Sequence, residues 1–316
     1  MKLVLRLLAF LILLIVLLVA GWTALNWAPD RPVEALQARW APPPSTFIEA
    51  DGLRIHLRDE GPRDDPQPIV LLHGTSASLH TWDGWAEALR GQRRVIRFDM
   101  VGFGLTGPAP DNDYRIQRYS QTLVAVLDKL GVQQCVLAGN SLGGYVAWYT
   151  AATQPQRVAK LVLVDAGGYP YESQSVPVAF RVAQVPGLNQ LMKHVLPRSM
   201  VESSVRNVYG DPARVTPELV DRYYELTLRE GNRGGLVARF KQGSPGQFTS
   251  LLEQIQVPTL ILWGSEDRLI PPSHGQRFAQ DVKGSKLVMF EGLGHVPQEE
   301  DAARTVQALQ DFLRQP

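Results

Sequence analysis

The chain has 316 residues, 45% of them hydrophobic and 20% charged, with a formal net charge of +1. So even a charge balance excludes recognition of nucleic acid by bulk positive charge, and the length allows one large α/β domain or two small ones. The single cysteine, Cys135, lies in an apolar run, which excludes an internal disulfide framework and marks the residue as a buried small hydrophobe.

The first element is membrane-like. Residues 7–20 are all apolar and the run continues to Leu25. As a helix, residues 7–25 span about 28 Å, close to the ~30 Å of a bilayer core. Lys2 and Arg6 precede the run, and Trp22 and Trp27 follow it at interfacial positions. A cleavable signal peptide shares the charged start, but residues 21–27 lack a small-residue cleavage site. The expectation is therefore an uncleaved anchor over residues 1–27. The flanking charges place the N-terminus in the cytoplasm and the remainder on the non-cytoplasmic side, periplasmic or extracellular. Residues 28–45 hold Pro29, Pro32 and Pro42-Pro43-Pro44, which predicts a stiff, extended spacer, with the folded domain starting at residue 46.

From there strands and helices alternate. Residues 47–50 and 53–58 flank Asp51-Gly52, a hairpin pattern. Short apolar runs at 69–72, 95–99, 135–138 and 160–165 predict strands, and residues 79–90, 119–130 and 142–153 predict helices. Strands at 259–263 and 286–290 alternate with helices at 273–281 and 299–313. Repeated βα units predict a mostly parallel sheet covered by helices on both faces. Residues 169–246 interrupt the alternation with helix-like segments only, so the core divides into 46–168 and 247–316 around a helical cap. A cap inserted there sits over the C-terminal ends of the strands, where open α/β sheets bind ligands.

Two glycine motifs stand out. Gly102-Phe103-Gly104-Leu105-Thr106-Gly107 matches a dinucleotide fingerprint, but Pro108-Ala109-Pro110 follows where a phosphate-binding helix must begin. With no Walker sequence, H-E-x-x-H or C-x-x-C, no cofactor and no metal is implied. Gly139-Asn140-Ser141-Leu142-Gly143 lies between a predicted strand and a predicted helix, the context of a nucleophile elbow. Gly139 and Gly143 relieve the collisions that side chains would make on such a sharp turn, and the helix N-terminus directs N–H groups at developing negative charge.

A serine nucleophile needs a base and the base an acid. His56, His80, His194 and His274 lie in the hairpin, at a helix start, in the cap and in a helix, positions that suit structural roles. His73 precedes Gly74 and suits loop shaping. His295, in the loop after the last strand, is the candidate base. Asp267, after the penultimate strand, is the candidate acid, with Asp165 as its rival and Glu266 as a weaker one.

With these motifs the chain resembles the α/β-hydrolases over residues 46–313, through His73-Gly74, residues 99–104, Gly139–Gly144, residues 264–271 and Gly294-His295. The resemblance implies the chain order Ser141, Asp267, His295, and an oxyanion hole from the N–H of Leu142 and that of Thr75 or Ser76. It makes residues 102–107 a structural loop and residues 169–246 the family's cap. Haloalkane dehalogenases and epoxide hydrolases of this fold carry an aspartate where Ser141 stands, which argues against both. The expected function is a lipase- or esterase-type serine hydrolase acting on a small-molecule or lipid ester. Alternatives on the same triad are a C–C hydrolase of meta-cleavage products and a cofactor-free perhydrolase. The C–C hydrolases typically carry tryptophan after the catalytic histidine, where this chain has Val296. A non-catalytic binding protein on the scaffold is the reading from another class, and retention of all three triad residues counts against it. Acyl chain length and oligomeric state leave no mark in the sequence.

Overall fold

The computed structural model describes residues 2–170, 172–243 and 245–314; residues 1, 171, 244, 315 and 316 of the segments above lie outside it. Its N-terminal helix α1 (Lys2–Leu25) has a mean hydropathy of 3.2 in its most apolar window, none of which is buried. Helix α2 (Val33–Trp40) follows, then the hairpin β1 (Thr46–Ala50) and β2 (Leu53–Glu60). β3 (Ile69–Leu72), α3 (Asp83–Leu89), β4 (Val95–Phe98), α4 (Ile116–Lys129), β5 (Cys135–Asn140), α5 (Leu142–Thr153) and β6 (Val158–Val164) form the first half of the core. The cap carries α6 (Val178–Gln184), α7 (Leu188–Leu191), α8 (Arg198–Val208), α9 (Pro217–Thr227) and α10 (Asn232–Gln242), and among the described residues no sheet strand. The core resumes with β7 (Thr259–Gly264), α11 (Ser273–Asp281), β8 (Lys286–Phe290), α12 (Pro297–Glu300) and α13 (Ala302–Leu313).

The eight strands form one sheet in the order β1-β2-β4-β3-β5-β6-β7-β8. β2 pairs antiparallel with β1 and β4, and every later pairing is parallel. The period of two along each strand divides its side chains between two apolar cores. Val70, Leu72, Leu137, Leu161, Leu163 and Ile261 pack under α4, α5 and α11, through residues such as Leu123, Val146 and Phe278. Ile69, Leu71, Val136, Val162, Val164 and Leu260 pack under α3 and α13, through Trp85, Leu89, Leu309 and Phe312. Both faces are covered, which is why the central strands read as unbroken apolar runs.

The expected extended spacer is not what forms. Residues 33–40 are helical and docked. Pro32 precedes the first turn and Pro42 follows the last, positions where the missing N–H and fixed φ do no harm, so the prolines bracket a helix. Leu36 is 1% exposed, against Leu105 and Leu226. Ala28 N donates to His194 O (2.9 Å), Arg31 N to Leu228 O (2.7 Å) and Glu230 N to Arg31 O (2.9 Å). Trp40 Nε1 donates to Glu225 Oε2 (2.7 Å) and its carbonyl lies 2.9 Å from His80 Nε2. Residues 26–41 thus form a strap that ties the end of α1 to the cap, and the folded unit begins well before residue 46.

Candidate active site

The three candidate residues come from three strand ends. Ser141 joins β5 to α5 with φ 54° and ψ −114°, a sparsely populated backbone conformation that costs on the order of 1–3 kcal/mol. The neighbours hold it there: Ser141 N donates to Val164 O (3.0 Å), and Ser141 O accepts from Tyr145 N (3.0 Å) and Gly167 N (2.9 Å). A Cβ on Gly139 would strike the Gly143 carbonyl, and one on Gly143 would strike the carbonyls of Leu72 and His73. Ser141 occupies the N-cap position of α5 yet makes no capping bond, so its hydroxyl is free to face the cavity it lines with His295.

His295 Nδ1 lies 2.7 Å from Asp267 Oδ2. The carboxylate accepts, so Nδ1 carries the hydrogen and Nε2 keeps a lone pair for a proton. The other oxygen of Asp267 is equally committed, since Oδ1 accepts from Leu269 N and Ile270 N, both at 2.9 Å. The histidine loop is fastened from two sides. Asn140 Nδ2 donates to His295 O (2.9 Å) and His295 N to Val208 O (2.8 Å). Glu300 accepts from Gly294 N (2.9 Å), Gly210 N (2.9 Å) and Asp211 N (2.8 Å), joining the loop to the cap. Sequence reasoning misses both Asn140 and Glu300. Asn140 lies inside the elbow motif, while Glu300 sits in a short polar run with no local pattern to mark it.

Of the oxyanion candidates, Thr75 and Ser76 line the same cavity, and Leu142 directly follows Ser141, which lines it too. Leu142 begins α5, so its N–H has no acceptor within the helix. Gly74, Thr75 and Ser76 line it beside the serine, a Cβ on Gly74 falling 3.1 Å from that of Ser141, and Ser76 has φ 59°. His73 shapes this loop: its Nδ1 lies 2.7 Å from Gly74 O and its Nε2 accepts from Met100 N (2.9 Å). That fixes a neutral tautomer, and burial pulls its pKa down. The Gly102–Gly107 turn closes inward, with Leu105 N donating to Asp99 Oδ2 (2.8 Å), so this amide serves a buried carboxylate. Cys135 is buried and its thiol pushed up to about 12, unsuited to nucleophilic work.

A second Ser–His–Asp relay exists. His56 Nδ1 lies 2.7 Å from Asp99 Oδ2 and His56 Nε2 lies 3.0 Å from Ser45 Oγ. It lacks the rest of an active site: Ser45 precedes a strand, not a helix N-terminus, and its Oγ also accepts from Arg58 Nε (2.9 Å). Asp165, His295 and Asp267 bring one potential ligand atom each to within 4.8 Å of one another. His295 Nδ1 is committed to Asp267, so that nitrogen is not available to a cation.

The cavity is apolar. Pro177, Phe180, Met192, Leu196, Val201, Val205, Leu236, Leu269 and Val296 line it, with Ser204, Tyr223 and Thr227 among the polar positions. Among the described residues, no lysine or arginine belongs to its lining.

Comparisons with known proteins agree on the architecture. A family model described as alpha/beta hydrolase fold matches residues 67–302. The 2-hydroxymuconate semialdehyde hydrolase of Pseudomonas sp. (strain CF600) is 30% identical over 275 residues, 84% of this chain and 92% of the relative. A thermophilic esterase from Thermogutta terrifontis superposes with a TM-score of 0.69 at 26% identity, covering 85% of this chain and 98% of that one. A bacterial membrane phospholipase A superposes with a TM-score of 0.74 over 99% of this chain and 98% of its own; at 24% identity that likeness speaks to the fold alone.

Proposed function

The chain belongs to the α/β-hydrolase family, and we propose that it is a membrane-anchored serine hydrolase that cleaves uncharged carboxylic esters. Ser141 Oγ attacks the ester carbonyl carbon while His295 Nε2 takes its proton. The tetrahedral oxyanion is held by the N–H of Leu142 and that of Thr75 or Ser76. Collapse breaks the C–O bond, and His295 returns the proton to the departing alkoxide. Water, deprotonated by the same nitrogen, then releases the acid from the acyl-enzyme. Asp267 holds the tautomer and stabilises the imidazolium.

The observation that carries the ester reading is the cavity lining. The relatives named as 2-hydroxymuconate semialdehyde and 2-hydroxy-6-oxo-2,4-heptadienoate hydrolases act on substrates whose names denote carboxylates. A carboxylate buried among apolar side chains without a cation is costly, and this lining offers it none. The 30% identity to a C–C hydrolase favours the second reading, hydrolysis of a ring-cleavage product on the same residues. A panel of p-nitrophenyl esters of rising acyl length, run beside a 2-hydroxy-6-oxo-dienoate, separates the two. Turnover of the esters alone is expected; efficient turnover of the dienoate with negligible ester cleavage would transfer the chain to the second class.

The anchor reading is supported by α1, exposed along its length, and by Lys2 and Arg6 at its start, which favour a cytoplasmic N-terminus. Trp27 stacks on His194 at a ring distance of 5.5 Å, and Val185, Leu188 and Leu191 are exposed on the neighbouring cap segment, as suits an edge lying on a membrane surface. Full-length protein should remain in membranes through alkaline carbonate; its release would remove the anchor from the proposal.

A further inference from the structure

Asp165, the sequence-level rival of Asp267, has a place of its own. It follows β6 at φ 44°, and its backbone N–H donates to Leu262 O (3.0 Å). The side chain is completely buried. Oδ1 accepts from Gly264 N (3.0 Å), while Oδ2 has no donor to accept from. The carboxyl comes within 4.8 Å of the functional atoms of both Asp267 and His295. Two carboxyl groups this close in a buried site do not both ionise. Three N–H donors converge on Asp267, from His295, Leu269 and Ile270, against one on Asp165, so the negative charge belongs on Asp267.

We propose that Asp165 is a positioning residue held as a neutral carboxylic acid, whose Oδ2–H donates to the Asp267 carboxylate beside the bond from His295. This rests on the triad assigned above. The orphaned Oδ2 then gains a partner, and Asp267 gains a fourth donor that fixes its rotation. Burial first, then the Asp267 charge and, least, the Glu300 charge push the Asp165 carboxyl well above the usual range, with the Gly264 N–H pulling the other way. The titratable groups facing Asp165 are Asp267, His295 and Glu300. At high pH, loss of the Asp165 proton would place a second negative charge against the triad and break the Oδ2–H bond, giving activity an alkaline limb.

The test uses the labelling rate of Ser141 by a fluorophosphonate as a function of pH, which needs no natural substrate. Asp165→Asn keeps an acceptor for Gly264 N–H and a donor for Asp267 but cannot ionise. Its rate at neutral pH should stay within about threefold of parent, and its alkaline limb should be absent. Asp165→Leu removes the donor, so its rate should fall about 10–100-fold, the size of a lost charge-assisted hydrogen bond. Its acid limb should move to higher pH, because an unopposed Asp267 charge stabilises the imidazolium. A purely structural role would lower the Tm of both variants and leave both limbs where they are. A 100-fold loss in Asp165→Asn, or an unchanged alkaline limb in that variant, overturns the proposal even if Asp165→Leu does not fold. Asp267→Asn labelled at the parent rate would instead overturn the triad itself, so the two failures are distinguishable.

Discussion

Replacing Asp267 by asparagine poses a choice that the surrounding hydrogen bonds decide. Leu269 N and Ile270 N both point at Oδ1, so the amide oxygen must stay there. Flipping it would set an NH₂ group against two buried N–H donors, each costing about 1–3 kcal/mol when unsatisfied. In the favoured orientation the amide nitrogen faces His295 Nδ1, where the carboxylate accepts at 2.7 Å. That nitrogen donates, so His295 must shift its hydrogen to Nε2, and Nε2 can no longer take the proton of Ser141. The expected loss in kcat/KM is about 10⁴-fold, or ~5.5 kcal/mol of transition-state stabilisation, with KM little changed. The assay is ester hydrolysis together with fluorophosphonate labelling, on a variant whose circular dichroism and Tm match the parent. A loss under tenfold in a well-folded variant would refute the tautomer argument, and a larger loss in Asp165→Asn would move the acid to β6.

Other outcomes follow from the packing. Ser141→Ala should abolish fluorophosphonate labelling entirely, leaving Ser45 untouched despite its relay; residual labelling at Ser45, read by peptide mass, would contradict this. Leu36→Ala should destabilise the protein by about 2–5 kcal/mol in urea unfolding, as expected for a fully buried leucine, whereas a free spacer would show no change. Removing residues 1–25 should leave Tm and activity near parent, while removing 1–41 should lower Tm and promote aggregation through the uncovered cap. Burial drives the His80 pKa down to about 3, so the native state keeps this residue neutral while the unfolded chain protonates it near 6.5. The stability this residue contributes is complete above pH 6.5 and is lost as pH falls towards 3, by up to about 1.4 kcal/mol per unit. His80→Gln should flatten that part of the pH–stability curve, measured by urea midpoints at pH 7 and pH 5.

The parts of the molecule legible in the sequence are those whose cause is local. The buried strands stand out as four- to six-residue apolar runs, because a strand covered on both faces loses its polar alternation. The elbow is legible because a Cβ at Gly139 or Gly143 has nowhere to go. Asp267 and His295 can be chosen because strand ends fix where loops emerge. The strap passes for a spacer because its prolines carry the same composition whether they stiffen a free linker or bracket a helix, and only contacts with Leu226 and Leu228, far along the chain, decide between them. Glu300 is invisible for the same reason: its three partners are backbone amides, which leave no residue type to recognise.

Those three amides limit how far the cap can be exchanged. Gly294, Gly210 and Asp211 share one carboxylate, and a Cβ on Gly294 would collide with the backbone of Val208 and Gly210. The end of α8 is therefore a jig for His295 as well as a wall of the cavity. A cap grafted from another hydrolase would carry its own specificity but would reset His295 unless its junction reproduced residues 208–211. Among the described residues the segment from α6 to α7 makes no such bond to the loop of His295, so changes at its cavity-lining Phe180 reshape the wall without touching that mooring.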